Sequence, residues 1–194
     1  MIGVILCGGQ SSRMGSDKGL LKLEAKTWAQ TAFDKMAGLN FPVVISVNEK
    51  QHTDYAVVFP ATELITDDVT LSIHGPLSGV LSVHLRHPEE DLLVLACDMP
   101  LMETVLFKEL LVQYNHYPVE DAFVFTNEGE PEPLCGIYKA KGLAHILGLY
   151  KSNQLPKHSM KYMLEHTQTH TIAIPPDKKQ CFRNFNAHAE LNGL

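Results

Sequence analysis

The chain has 194 residues, enough to bury the core of one domain but short of two comfortable ones. Its composition, 45% hydrophobic and 20% charged, is that of a soluble globular protein, and no apolar run approaches the roughly 20 residues of a membrane span. The net charge of −6, with basic residues scattered apart from Lys178-Lys179, disfavours a nucleic-acid-binding face, so an anionic ligand must be held by a few local cations and backbone N–H groups.

In chain order, Ile2–Leu6 is the first apolar run of strand length; no basic segment or cleavage site precedes it, so secretion is not expected. Thr27–Leu39 then has helical spacing, and Pro42–Val47 and Ala56–Phe59 read as strands. Leu77–Leu85 follows Gly75-Pro76, a start that suits proline in a helix's first turn. Leu92–Ala96 is a strand, Glu103–Tyr114 a helix, Ala122–Phe125 and Cys135–Tyr138 strands, and Lys139–Leu149 a helix. Lys157–His166 reads as one more helix, with Met160, Met163 and Leu164 as its apolar stripe. Several strands are continuous rather than alternating, as befits parallel strands covered on both faces. The expected architecture is an α/β three-layer sandwich on a mostly parallel, Rossmann-like sheet, with one domain over residues 1–194. In such sheets ligands gather beyond the carboxyl ends of the strands. The four cysteines, Cys7, Cys97, Cys135 and Cys181, lack paired spacing, which favours free thiols in a reducing cytoplasm over a zinc site.

Gly8-Gly9 ends the first strand, and "ILCGGQSSRMGSDKGLL" follows it with small residues, Arg13 and Lys18. Glycines there expose peptide N–H groups to close approach, and the two cations supply full charge, which suits a cradle for phosphate oxygens. The stretch is neither G-x-G-x-x-G nor G-x-x-x-x-G-K-[ST]. Asp98, in "ACDMP" after Leu92–Ala96, is placed to hold Mg²⁺ with phosphate oxygens, or else to cap the next helix. The adjacent loop acids Asp67 and Asp68 precede Gly75-Pro76, and either can be the functional one or both simply solvated. His74 reads as a surface histidine, and Gly79 inside a helix signals close approach by a ligand or a neighbouring element.

The pattern L-x-G-G-x-[ST]-x-R-M-G-x-D-K resembles the opening signature of the sugar-nucleotide-like nucleotidyltransferases, and most of all the MobA-like molybdenum cofactor guanylyltransferases. "HGPLSGVLSV", "LLVLACDMPLM", "EPLCGIYKA" and "FRNFNAHAEL" are similar to that family in the same order, so the resemblance spans nearly the whole chain. It implies a fold of the nucleotide-diphospho-sugar transferase type and transfer of GMP from GTP to molybdopterin cofactor, with Mg²⁺ as cofactor. A cytidylyltransferase for the same acceptor is the alternative, and a non-catalytic nucleotide-binding protein a weaker one. Implied partners, beyond the two substrates, are cofactor-delivering or molybdoenzyme-maturation proteins. The resemblance implies catalytic roles for Lys18, Arg13 and Asp98, with the metal on Asp98. It implies nucleotide contacts at Leu6, Cys7, Gly8, Gly9, Lys18, Ser46, Asp67, Leu77, Gly79 and Asp98. Ser46 stands where the family often has asparagine, and Asn48 is the substitute candidate. Acceptor binding is implied at Asn184 and Asn186, two residues apart on one side of an extended segment, and at Lys157 and Lys161, i and i+4 on the expected helix.

Overall fold

The computed structural model describes residues 1–8, 17–23 and 25–185. In chain order the strands are β1 (Ile2–Leu6), β2 (Lys22–Leu23), β3 (Lys26–Thr27), β4 (Val43–Val47), β5 (Leu64–Thr66), β6 (Leu92–Ala96), β7 (Ala122–Asn127), β8 (Glu130–Tyr138) and β9 (Thr169–Ala173). The α-helices are α1 (Trp28–Ala37), α2 (His52–Tyr55), α3 (Pro76–Arg86), α4 (Thr104–His116), α5 (Ala140–Lys151) and α6 (Met160–Leu164).

Seven strands form one sheet in the order β5-β4-β1-β6-β8-β7-β9, and β2 and β3 pair separately. The β5-β4-β1-β6 half is wholly parallel, and β9 is parallel to β7. Strand β8 runs antiparallel to both its neighbours. The sheet is therefore mostly parallel, as the continuous apolar runs demand.

Alternation within each strand splits the core in two. Ile5, Ile45, Leu95 and Phe123 pack with Ala32 and Met36 of α1 and Leu106, Phe107 and Leu110 of α4. Val4, Leu6, Val44 and Val94 face Leu77, Val80 and Leu81 of α3, Leu143 and Ile146 of α5, and Met160 and Met163 of α6. Helix, sheet, helix: three layers. Strands β1, β4 and β5 run to one edge, and β6 then returns to the other side of β1. The ends of β1, β4, β5 and β6 thus meet at the turning point of the strand order, where α/β proteins hold ligands.

Two expectations are corrected, and two strands of the sheet, β5 and β9, were not anticipated. Ala56–Phe59 is not a strand: it forms turns after α2, with Val57 86% exposed and only Phe59 of the run buried. A continuous apolar run becomes a parallel strand only when both faces are covered, and this one lies outside the sheet. The strand that fills the edge is β5, short and ending in Thr66. The last helix begins at Met160, with Ser159 as its N-cap accepting from the Tyr162 N–H at 3.2 Å. Lys157 is therefore outside it, and the i, i+4 argument for Lys157 and Lys161 fails. Finally, β9 was hidden in "THTIA", whose polar content reflects an edge position.

Candidate active site

Four chain segments leave the sheet side by side. Cys7 N–H and Gly8 N–H both donate to the carbonyl of Ser46 (2.9 and 3.1 Å), so β1 and β4 stay joined past the last strand residue. Asp67 N–H donates to the Val47 carbonyl at 3.0 Å, continuing β5, and Cys97 N–H donates to the Leu6 carbonyl at 3.1 Å, continuing β6. These extensions hold Gly8, Asp67 and Asp98 at fixed heights above the sheet. A Cβ on Gly8 would lie 3.9 Å from Asp67 Oδ2, so the first loop and the end of β5 border one space.

Two carboxylates at these strand ends are left wanting. Asp98 Oδ1 and Asp67 Oδ1 are buried and without a hydrogen-bond partner among the described residues. Burial pushes both carboxyls above the usual aspartate range; for Asp98 the Lys18 ammonium pulls in the opposite direction. Lys18 Nζ lies 3.4 Å from Asp98 Oδ2, both side chains being largely but not wholly covered. Asp98 does not cap α4, whose N-cap is Glu103. Lys35 Nζ holds the turn after it by donating to the Pro100 carbonyl at 2.6 Å. Between the adjacent acids, geometry separates the roles: Asp68 is a turn-former, its Oδ1 accepting from Thr70 N–H at 2.8 Å and Thr70 hydroxyl at 2.6 Å.

The other sequence candidates fall as follows. Leu6 is buried on the α3 side, and the Cys7 carbonyl accepts from Gln51 Nε2 at 2.9 Å. The Gly8 N–H, expected to grip phosphate, is instead engaged with the Ser46 carbonyl. Ser46 is 1% exposed, and a Cβ on Gly79 would sit 2.5 Å from its Oγ and 3.1 Å from Leu6 Cδ2. The close neighbour that keeps Gly79 bare is therefore β4, beneath α3. Leu77 is wholly buried in the same layer. Asn48 shares a reciprocal pair with Gln51, Asn48 N–H donating to Gln51 Oε1 (3.0 Å) and Gln51 N–H to Asn48 Oδ1 (3.1 Å), which sets the turn before α2. His74 is exposed.

At the far side, Phe185 N–H donates to the Asp98 carbonyl at 2.9 Å, which brings exposed Asn184 to the edge of the site. Lys161 pairs with Glu130 at the β7–β8 turn (2.9 Å), and Lys157 lies over the Tyr162 ring. Gly9, Arg13 and Asn186 lie outside the described residues.

Sequence reasoning passed over three residues: Asp17, Gln51 and Tyr55. Asp17 Oδ1 accepts from Gly19 N–H (2.9 Å) and from the Tyr55 hydroxyl (2.8 Å), and Oδ2 accepts from Gln51 Nε2. A Cβ on Gly19 would stand 2.1 Å from the Tyr55 oxygen, so the Lys18–Leu20 turn is seated on that hydroxyl. Beneath it lie two buried thiols; hydrogen bonding to Cys7, then burial, pushes the Cys97 thiol up, so it stays protonated and inert. The only advance signal was Asp17 two residues before Gly19, the spacing of a side-chain cap.

A lysine beside a carboxylate whose second oxygen has no partner among the described residues, above a parallel sheet, is equipped to hold polyphosphate through direct charge and a bridging cation. Comparison with known proteins agrees with that chemistry. Over the full length, the chain is 30% identical to a Flavobacterium johnsoniae protein named "probable molybdenum cofactor guanylyltransferase" (98% of this chain, 94% of the relative). It is 28% identical to the molybdenum cofactor guanylyltransferase of Campylobacter jejuni (96% and 91%). In fold it is similar to the crystal structure of molybdopterin-guanine dinucleotide biosynthesis protein A from Archaeoglobus fulgidus, with a TM-score of 0.77 at 22% identity, covering 99% of this chain and 95% of the other. The MobA-like NTP transferase domain matches residues 3–174, and the chain belongs to that family.

Proposed function

We propose that this nucleotidyltransferase moves GMP from GTP to the terminal phosphate of molybdopterin cofactor, giving the guanine dinucleotide form and pyrophosphate. The observation that carries the reading is the pairing of Lys18 with Asp98 at the strand ends, where Asp98 and Asp67 each keep a buried oxygen that no described residue satisfies. Hard oxygen donors held in this state fit Mg²⁺, which prefers one or two carboxylates completed by phosphate and water. Asp98 would hold it, with Asp67 facing the same space. When bound, the ion would offset negative charge on the phosphates.

The acceptor's phosphate oxygen attacks the α-phosphorus in line. It is already ionised near neutrality, since a phosphomonoester's second pKa is about 6, so the chain need not supply a strong base. The barrier is the meeting of two anions, and the protein's work is positioning and charge. Lys18 neutralises the triphosphate and follows charge onto the departing pyrophosphate. Arg13 and Gly9 are assigned to the same triphosphate. With Leu6, Ser46, Leu77 and Gly79 turned into the core, base reading falls to main-chain groups around Cys7, Gly8 and the start of α3. Asn184, Asn186, Lys157 and Lys161 are assigned to the acceptor. The reading puts the reaction in the cytoplasm, where four free, buried cysteines stay reduced.

Thermal stabilisation by GTP, CTP or ATP with Mg²⁺, then pyrophosphate release on adding molybdopterin cofactor, tests this. GTP is expected to stabilise most and to be consumed. A clear CTP preference would make the protein a cytidylyltransferase, and no pyrophosphate release would leave a nucleotide-binding protein.

A further inference from the structure

We propose that Asp17, Gln51 and Tyr55 form a positioning clamp that fixes Lys18 over Asp98 before nucleotide arrives; this rests on the nucleotidyltransferase reading. A long lysine side chain loses rotamer entropy when it is held in one place. An enzyme that relies on one for transition-state charge gains by ordering it beforehand. Lys18 opens a three-residue turn, capped by the adjacent Asp17, whose own carboxylate is held by Gln51 and Tyr55 from elsewhere in the chain.

Asp17 is the hub. One oxygen takes the Gly19 N–H and the Tyr55 hydroxyl, the other the Gln51 amide, so both are satisfied inside the protein and Asp17 is no metal ligand. Gln51 has no freedom to turn. Its Nε2 also donates to the Cys7 carbonyl, its Oε1 accepts from Asn48 N–H, and its own N–H reaches Asn48 Oδ1. Through this one amide the exits of β1 and β4 are tied to the residue before Lys18.

Tyr55 supplies the floor. It is fully buried and stacked on Phe59, with ring centroids 6.2 Å apart. Burial, then the neighbouring Cys7, Cys97 and Asp17, pushes its phenol far up, so the hydroxyl remains a donor at any working pH. A Cβ on Gly19 would overlap that hydroxyl, so the turn rests closely on it. None of the three side chains reaches the reacting atoms; they act through Lys18.

The test measures pyrophosphate release from GTP and acceptor for Tyr55→Phe, Gln51→Ala, Asp17→Ala and Asp17→Asn, each alone and with Lys18→Ala, beside thermal midpoints. Tyr55→Phe and Gln51→Ala are expected to lower kcat roughly 10- to 100-fold, the range of a displacement of about 1 Å, with a smaller change in KM for GTP. Asp17→Asn should retain more activity than Asp17→Ala, because its amide oxygen can still accept from Gly19. Against Lys18→Ala the losses should vanish, since no ammonium is left to place. A packing role would leave the same fold-loss in both backgrounds, and that result overturns the clamp. So does wild-type kcat in Tyr55→Phe. A wild-type chain that releases no pyrophosphate overturns the functional reading with it, whereas an active wild type with indifferent variants overturns the clamp alone.

Discussion

Gly19→Ala adds one methyl group where the structure has least room. The new carbon would lie 2.1 Å from the Tyr55 oxygen and 3.2 Å from Cys97 Sγ, against an ordinary contact of at least 3.4 Å to the oxygen. More than 1 Å of overlap must be relieved. Tyr55 cannot retreat, being wholly buried against Phe59, so the Lys18–Leu20 turn lifts. Overpacking of this kind costs about 1–3 kcal/mol. Alanine offsets roughly 0.4–1 kcal/mol of that by restricting the unfolded chain. A net loss of about 1–2 kcal/mol lowers Tm by about 2–8 °C in a domain of this size. With Lys18 displaced by about 1 Å, turnover falls on the order of 100-fold. Calorimetry and pyrophosphate release would read the two effects, and a second background separates steric cause from any other. In Tyr55→Phe the oxygen is gone and the nearest ring atom is 3.2 Å away, so Gly19→Ala should cost less than about 0.5 kcal/mol there. Equal Tm losses in both backgrounds would refute the argument that Gly19 is kept bare by the tyrosine hydroxyl.

Asp98→Asn should lower turnover about 10²- to 10³-fold while raising Tm at neutral pH, because it removes a charge that burial disfavours; a lower Tm would mean that the carboxylate is already well paired. The same cause sets a pH trend for the metal-free chain. Asp67 and Asp98 are raised in the fold, so the unfolded chain ionises first as pH climbs past about 4. The part of stability these two groups control therefore falls with rising pH until both are ionised in the fold, and Mg²⁺ should restore more Tm at pH 8 than at pH 4. A flat difference between the two pH values would detach both acids from the metal. Ser46→Ala should leave Tm unchanged or raised, since it deletes a buried hydroxyl with no partner among the described residues and spares the carbonyl that holds Cys7 and Gly8; a large drop would reveal a bond made by Oγ. Lys161→Ala breaks an exposed pair and should change stability by less than about 0.5 kcal/mol while raising KM for the acceptor, and an unchanged KM would remove Lys161 from the acceptor path.

What could be read from the residues followed from burial. Ile2–Leu6 and Leu92–Ala96 are covered on both faces, and their unbroken apolar runs announced parallel strands with the ligand loops at their ends. Where burial is one-sided the pattern misled: Val57 and Val58 are apolar by type but sit in turns, and β9 is an edge strand written in threonine and histidine. Asp98 and Lys18 were legible because charge beyond a buried strand needs a reason. Gly79 was legible only as a close approach, and whether a ligand or a neighbour made it depended on the side to which Ser46 points, decided by strand parity and by the placement of α3.

The clamp was illegible for a different reason. Gln51 and Tyr55 come from a single helical turn and its lead-in, far along the chain from Lys18, and neither residue type carries a chemical signature of its own. Their meaning arises when parallel pairing of β1 with β4 brings the exits of both strands together. Pairing fixes the Cys7 carbonyl beside the turn after β4; the Asn48–Gln51 pair then aims one amide at Asp17, and Asp17 aims the backbone of Lys18. The placement of Lys18 is thus set by sheet register as much as by the loop that bears it. A register slip of one residue would turn each strand's side chains to the opposite face and leave Lys18 on an unanchored turn.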